Sequence, residues 1–378
     1  MVKNMKKKYI LDPYLILFLT IFFIISVATI YSAQTILKDE YQSLAIKQIF
    51  WYIAGIFTIY IITKIKNDSI LKITWILYII GNVFLLLLLF FGTNINNAKC
   101  WFTIKGIGTI QPSEFMKIIL IITIAKMINN FHQKYINPTV KEEFVFLIKV
   151  GATVLIPSIL TFLEPDTGVV LIYLLITFVM LFISGIRYRW FIIFFLILLV
   201  SVGSVLLIYF LNSDLFIKIF GTSFFLRVDR LLDWNNKSGF QLNNGLLAIG
   251  SAGFLGHGFR NTPIYFPEAQ TDFIFAVFAS NFGLLGSLIL LSLIALFDIR
   301  ISLIAMRSNT NINKYIIGGI LGMLIYQQLQ NIGMTFGLMP ITGITLPFIS
   351  YGGSSLISYM IMIGIVFNIS RENTMHTF

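Results

Sequence analysis

Charge is what this chain has least of. Only 11% of its 378 residues are Asp, Glu, Lys or Arg, against 57% hydrophobic residues. A soluble domain carries roughly 25% charged residues. No aqueous globule can hide so much apolar surface, so lipid must be the solvent for much of the chain. There is a single cysteine, Cys100, which excludes an intramolecular disulfide and any multi-cysteine metal centre. The start MVKNMKKKYILDP is basic and leads into an apolar run, but no small-residue cleavage site follows. A retained first helix is therefore expected rather than a cleaved signal. Alternating ten-residue segments are missing, which argues against a membrane β-barrel. No internal repeat is visible, so nothing supports an inverted-repeat transporter. The net charge of +11 does not point to nucleic acid, because the 27 basic residues are scattered in short clusters between apolar runs instead of covering one face.

What is present is a series of apolar runs. A helical span needs about 20 mostly apolar residues, and candidates fall at 14–36, 48–65, 70–92, 113–130, 143–163, 168–184, 189–211, 271–297, 314–335 and 354–370. The expected architecture is an all-α integral membrane protein of about ten transmembrane helices, forming a single polytopic domain over residues 1–378. Lys and Arg cluster at 3–8, 64–72, 126–141, 187–189, 300–314 and 371, whereas the alternate short connections hold only Lys38, Lys47, Lys99 and Lys105. By the positive-inside rule both termini are cytoplasmic. Residues 212–270 then form a large extracytoplasmic loop between the seventh and eighth spans. Its apolar stretch LLAIGSAGFLGHGF predicts a piece that packs on the bundle or dips into the membrane.

Five polar constellations interrupt the apolar background. In QPSEFMK (111–117), Pro112 suits a first helical turn, and Glu114 and Lys117, three apart, share a face. An ionisable pair at the end of a span suggests function; a dipole-compatible Glu with a snorkelling Lys is the plainer alternative. In EPDTG (164–168), Glu164 and Asp166 flank a proline in a tight turn. Such a turn can hold a divalent cation or a basic partner, or can use Pro, Asp and Gly only for their backbone preferences. In PEAQTDFIFA (267–276), Asp272 opens the eighth span, where an Asp also simply complements the helix dipole. The string YQQLQNIGM (326–334) sets three glutamines and Asn331 in one span, for which hydrogen bonding between helices is the simplest explanation. The string LMPITGITLPFISYGGSS (338–355) is too apolar for a free loop and too rich in Pro and Gly for a helix. A re-entrant segment beside a cavity is expected.

Taken in order, PSEFMK, EPDTG, PEAQTDFIFAV, QQLQNIGM and PITGITLPFISYGGSS make the chain resemble the SEDS family of bacterial cell-wall glycan polymerases, the RodA, FtsW and SpoVE group. YSA at 31–33 and Lys47-Gln48 also match, and the resemblance covers roughly residues 12–370, leaning towards RodA in NIGM and towards the division and sporulation members in EPD and PEA. It implies a peptidoglycan glycosyltransferase that polymerises lipid II on the outer face of the bacterial cytoplasmic membrane, for elongation, division or sporulation. It also implies a class B penicillin-binding protein as partner. The family's essential acid falls on Asp272, and its functionally important Glu and Lys on Glu114 and Lys117. Further candidates for contact with substrate are Arg227 and Arg230, from charge and location, and Ser350 and Ser354 of the re-entrant string. A divalent cation, Mg or Mn, is the only cofactor expected, with no metal ligands assigned.

The chain departs from the family where Cys100 replaces an arginine and where Ser280 and Asn281 replace an acidic pair. Two other functions compete with polymerisation: a lipid II flippase, and a catalytically weak scaffold for a penicillin-binding protein. A flippase should need polar groups across the whole bilayer, yet Glu114, Lys117, Glu164, Asp166 and Asp272 gather at one end, with Lys149 the main exception. Gly283, Gly286, Gly318, Gly319 and Gly322 in the eighth and ninth spans are expected to let a partner helix approach closely.

Overall fold

The computed structural model describes residues 11–38, 41–95, 98–104, 108–232 and 239–375. All ten apolar runs fall on helices: α1 (Pro13–Ala33), α2 (Leu44–Lys64), α4 (Thr74–Phe91), α5 (Pro112–Lys134), α6 (Val140–Leu163), α7 (Thr167–Ile183), α8 (Tyr188–Leu211), α12 (Ile274–Met306), α13 (Asn311–Thr335) and α14 (Gly353–Met375). Among the described residues, eight helices are long and apolar enough to cross a membrane, and the chain is a multi-pass membrane protein. Of the other two, α7 has only 17 residues, and α13 is diluted by its glycines, glutamines and Asn331. The run at 70–92 is broken at Ile73 into α3 (Asn67–Lys72) and α4. The eighth span begins later than expected, at Ile274, and continues to Met306 with non-helical backbone at Gly283.

The helix ends are written in the sequence. Asp12 caps α1 by accepting from the amides of Tyr14 and Leu15, and it also pairs with Arg300 of α12. Thr139 and Glu142 form a capping box that starts α6. Asp166 caps α7 through the amide of Val169 at 3.1 Å. One hydrophobic core runs through α1, α2, α4 to α7 and α12 to α14, with α5 and α14 the most buried of the apolar spans.

The fold is almost entirely helical, as expected. Between α4 and α5 it adds a small antiparallel sheet of β1 (Thr93–Ile95), β2 (Ala98–Ile104) and β3 (Gly108–Ile110), in that order. Its β-branched and aromatic residues, among them Trp101, Phe102 and Thr103, suit a pleated surface. The long loop is largely helical, as α9 (Ser213–Phe220), α10 (Thr222–Leu232) and α11 (Phe240–Ser251). Of these, α11 packs on the bundle as expected, Leu242 and Ala248 joining Phe266, Phe273 and Val277 in a second buried cluster. Four of the five glycines expected to admit a partner helix face this chain instead; Gly286 is the exception, since a Cβ there would meet only Phe282 and Phe278 of its own helix. A Cβ on Gly318, Gly319 or Gly322 would meet Ile183, Met180 with Ile121, or Val179 within about 3 Å, and one on Gly283 would strike the backbone of Phe254 and Gly256. Their missing side chains let elements of this same chain pack together.

Helix α8 has no buried residue. Its first turn is tied to α6: the Trp190 indole donates to Glu143 at 2.8 Å, and Arg187 and Arg189 lie 3.5 and 3.7 Å from the same carboxylate.

Candidate active site

The site forms where non-helical backbone meets the end of the bundle. Between Thr335 and Gly353 the chain makes no helix, yet Leu346, Phe348 and Ile349 are buried. Backbone at this depth must have its polar groups satisfied. Three consecutive carbonyls, of Phe348, Ile349 and Ser350, accept from Tyr52, from Ser26 at 2.8 Å and from Gln48 at 3.2 Å. These donors stand on α1 and α2. The side chain of Phe348 fills the space among Phe22, Phe297 and Tyr359. The string is non-helical and buried against the bundle, which is what its composition, too apolar for a free loop and too broken for a helix, required.

That segment in turn grips the turn carrying Asp272. The carbonyls of Gln270, Thr271 and Asp272 accept from the amide of Tyr351 at 2.9 Å, the hydroxyl of Ser350 at 2.7 Å and the amide side chain of Asn331 at 2.9 Å. The Asn331 group also donates to the carbonyl of Ile344 at 2.8 Å, so one buried side chain on α13 holds both segments. Glu268, with φ +52, closes the turn by accepting from the amides of Thr271 and Phe273 and from the hydroxyl of Thr271 at 2.8 Å. The Asp272 carboxyl is left free of this bracing and half-buried. A Cβ on Gly343 would lie 3.6 Å from its Oδ2, so glycine there keeps the re-entrant segment narrow beside the acid. Burial, and then the Glu268 carboxylate, push Asp272 up to about 7, with a hydrogen bond from Thr271 opposing them. A carboxyl that titrates near neutrality can take and return a proton.

The remaining acids adjoin through the same segment. A Cβ on Gly168, at the start of α7, would lie 3.0 Å from the carbonyl of Thr342. Two residues earlier, Asp166 spends both oxygens, accepting from Val169 N and, at 2.8 Å, from Gln111 Nε2. Burial and the Glu114 carboxylate raise it to about 6, while the Val169 amide, Lys117 and Gln111 oppose the rise. Glu164 is fully buried, with no hydrogen-bond partner for either carboxylate oxygen among the described residues. Burial, with the charge of Asp166, pushes it up to about 8. The donor set does not fit a divalent cation: Asp166 is engaged, burial favours the neutral form of Glu164, and no group of three or more His, Cys, Asp or Glu among the described residues is placed to hold a metal.

Glu114 and Lys117 form a buried ion pair at 2.7 Å in the first turns of α5, only 6% and 0% exposed. The ammonium also lies 5.5 Å from the ring centre of Tyr359, and Tyr359 meets Thr345 of the re-entrant segment at 3.3 Å. Lys117 is thus a neutralised, enclosed cation that supports the segment from behind. Ser350 is consumed as a brace between Leu346 N and Thr271 O, and Ser354 as one between Gln111 N and Thr109 O. Arg227 and Arg230 fall on α10, and their side chains lie outside the described residues. Sequence reasoning missed Ser26 and Tyr52, and it took Gln48 only as part of a family match, although a glutamine inside an apolar run was a visible signal.

Fold and site define a class: a multi-pass helical membrane protein with a near-neutral carboxyl held by re-entrant backbone at one end of the bundle. The chain belongs to the FtsW/RodA/SpoVE family of cell cycle proteins, which it matches over residues 9–375. It is 34% identical over 304 residues to a probable peptidoglycan glycosyltransferase FtsW of Thiomicrospira cyclica, covering 78% of this chain and 74% of that one. It is also 34% identical over 306 residues to the peptidoglycan glycosyltransferase MrdB of Escherichia coli K12, covering 79% and 78%. Among solved structures, a chain from a peptidoglycan synthase complex that coordinates polymerization and crosslinking shares the fold, with a TM-score of 0.76 at 24% identity over 96% of this chain and 98% of that one.

Proposed function

We propose that this chain is a peptidoglycan glycosyltransferase that polymerises lipid II, with Asp272 as general base. The observation that carries the reading is the Asp272 turn: its backbone is immobilised by three outside donors, while its carboxyl takes no part in that bracing and is pushed up to about 7. In the reaction a sugar hydroxyl gives its proton to Asp272 as its oxygen bonds the anomeric carbon of the second substrate. The bond from that carbon to the lipid pyrophosphate breaks, and the leaving group departs with the electron pair. Direct displacement inverts the anomeric centre. Glu114, Lys117, Ser350 and Asn331 act as positioning residues that keep the re-entrant segment against the Asp272 turn. Arg227 and Arg230 remain candidates for the pyrophosphate charge, and turnover with and without Mg or Mn tests that no bound cation is needed at the Glu164–Asp166 turn.

Orientation belongs to the same proposal. The site end of the bundle faces outward and both termini are cytoplasmic, which the lysines and arginines at 64–72, 126–141 and 300–314 support. The exposed apolar side chains of α12 and α13, such as Leu288, Ile289 and Leu329, would receive the single helix of a class B penicillin-binding protein. The distribution of polar groups favours polymerisation over flipping: Lys149 is exposed on α6 rather than aimed into the bundle, and Asp298 is hydrogen-bonded by Gln328. The deciding experiment is polymerisation of purified lipid II by the purified chain, alone and with its co-expressed partner. Turnover that depends on Asp272 supports the reading. Turnover undiminished in Asp272→Ala sinks it.

A further inference from the structure

The splayed ends of α1 and α2 leave a lateral apolar groove of about 420 Å³, lined by Val27, Ala28 and Tyr31 of α1 and by Ala45, Ile46 and Ile49 of α2, among others. A helix is about 10–12 Å across with its side chains, so this space is too small for a partner's span and suits a single hydrocarbon chain. One end of the groove is polar. The guanidinium of Arg260 stacks 4.3 Å from the centre of the Tyr31 ring and donates to its hydroxyl at 3.0 Å. Arg260 holds φ +62, in the left-handed region that costs a non-glycine residue energy. Its loop is fixed to the bundle: the amides of His257 and Gly258 donate to the carbonyls of Ser280 and Asn281 at 2.9 and 3.1 Å. The Asn281 side chain, in turn, accepts from Asn261 N and from Ser32 beside Tyr31. The same loop exposes Phe254, Leu255 and Phe259, an apolar fringe suited to the depth where chains meet headgroups. Among the described residues no carboxylate pairs with Arg260.

We infer that the α1–α2 groove with Arg260 at its mouth is a binding site for an anionic phospholipid, one acyl chain lying in the groove and the phosphate on Arg260. The guanidinium spends one N–H on Tyr31 and presents its remaining donors as a fork that matches phosphate oxygens. The Tyr31 hydroxyl, already accepting from Arg260, has its own proton to give. The charge complementarity is for a headgroup of net negative charge, because among the described residues nothing acidic pairs with Arg260 to receive a choline or ethanolamine.

Native mass spectrometry of the full chain in detergent tests this, with phosphatidylglycerol, phosphatidylcholine and glycerol 3-phosphate as the three probes. Phosphatidylglycerol should stay bound. Phosphatidylcholine, which offers the same phosphate but brings a cationic choline beside Arg260, should be held about 10-fold more weakly, the scale of one like-charge contact near water. Glycerol 3-phosphate should not be retained. Arg260→Gln should remove the preference for phosphatidylglycerol, and Arg260→Lys should keep part of it. Ala28→Trp should block retention without altering charge. Equal retention of both lipids by the native chain, or an Arg260→Gln chain that still prefers phosphatidylglycerol, would overturn the assignment. Arg260→Gln substitutes an exposed rim residue, so the test survives even where Ala28→Trp fails to fold.

Discussion

The pH dependence of turnover is the most direct consequence of the site. Asp272 stands at about 7 instead of the ordinary 3.8, raised first by burial and then by Glu268. A general base works only when ionised. At pH 6 roughly one such carboxyl in ten would be ionised, and at pH 8 roughly nine in ten. Polymerisation of fluorescent lipid II at subsaturating substrate should therefore rise about tenfold between pH 6 and pH 8, along a limb governed by one proton. Glu268→Gln removes the second cause while keeping an acceptor for Thr271, so the limb should move to lower pH without reaching the value of an ordinary aspartate. Asp272→Asn should lower turnover by about 10²–10⁴-fold, the usual contribution of a positioned base. The sign for stability is opposite. A carboxyl raised in the fold prefers to be neutral, so its contribution to stability declines as pH rises from about 4 through about 7. Asp272→Asn should consequently melt no lower than the wild type at pH 7.5. A rate flat from pH 6 to pH 8, or an Asp272→Asn protein that turns over normally, refutes the assignment of Asp272 as base.

Lys117→Ala leaves Glu114 buried without its partner and should destabilise the fold by about 3–5 kcal/mol, read as a lower melting temperature in detergent. Lys117→Arg should retain little activity, since a planar fork does not fit an enclosure built around a point charge, whereas normal turnover by Lys117→Arg would argue that the enclosure is loose. Asn331→Leu strands the carbonyls of Asp272 and Ile344 and should cost about 2–4 kcal/mol, with turnover falling more than substrate binding; an unchanged rate would show that the Asp272 turn holds itself. With Cys100 replaced by Ser, a cysteine at Asn261 should react with an impermeant thiol reagent in intact cells and one at Asn309 only after lysis, and the reverse pattern would invert the proposed topology.

How much of this was legible depended on how each property is encoded. Spans are sums over some 20 residues, so ten apolar runs gave ten helices with ends displaced by only a few positions in most cases. The direction in which a small residue faces is not a sum. Gly318 and Gly322 looked like a surface for another helix, but the pairing of α13 with α7 turned them onto Ile183 and Val179. The re-entrant string was readable because its composition forbade both helix and free loop. Its partners were not, because Ser26 and Gln48 lie some 300 residues away along the chain from the carbonyls they satisfy. The glutamine-rich span showed the same limit. Bonding between helices is present, from Gln328 to Asp298, but Gln330 and Asn331 serve the re-entrant backbone at Pro340 and Ile344 instead.

The two departures from the family pattern take a different meaning once their surroundings are known. Cys100 is buried, and its thiol donates to the carbonyl of Glu164 at 2.8 Å. Burial, with Asp166 and Glu164 adding to it, drives that thiol's pKa far up, so it stays protonated. Glu164 beside it is pushed up to about 8. The protonated thiol fits against the Glu164 carbonyl without a cation, and the remaining carboxylate charge of Asp166 is met by the Val169 amide and Gln111 instead of by an arginine. Asn281 is equally settled. Its amide nitrogen donates to Val277 O at 2.6 Å and to Thr262 at 3.3 Å, while its oxygen accepts from Ser32 and Asn261. A carboxylate has no proton for Val277 O and would face it with repulsion, whereas the amide satisfies both sides. Neither position bonds to the Asp272 turn. Ser280, which with Asn281 stands in place of the acidic pair, is buried with no partner for its hydroxyl among the described residues. At Cys100 and Asn281 the lost charges are replaced by local hydrogen bonds that leave Asp272, its three backbone braces and its near-neutral titration intact, which is the arrangement expected if Asp272 is the base rather than a relic of a scaffold that has shed its chemistry.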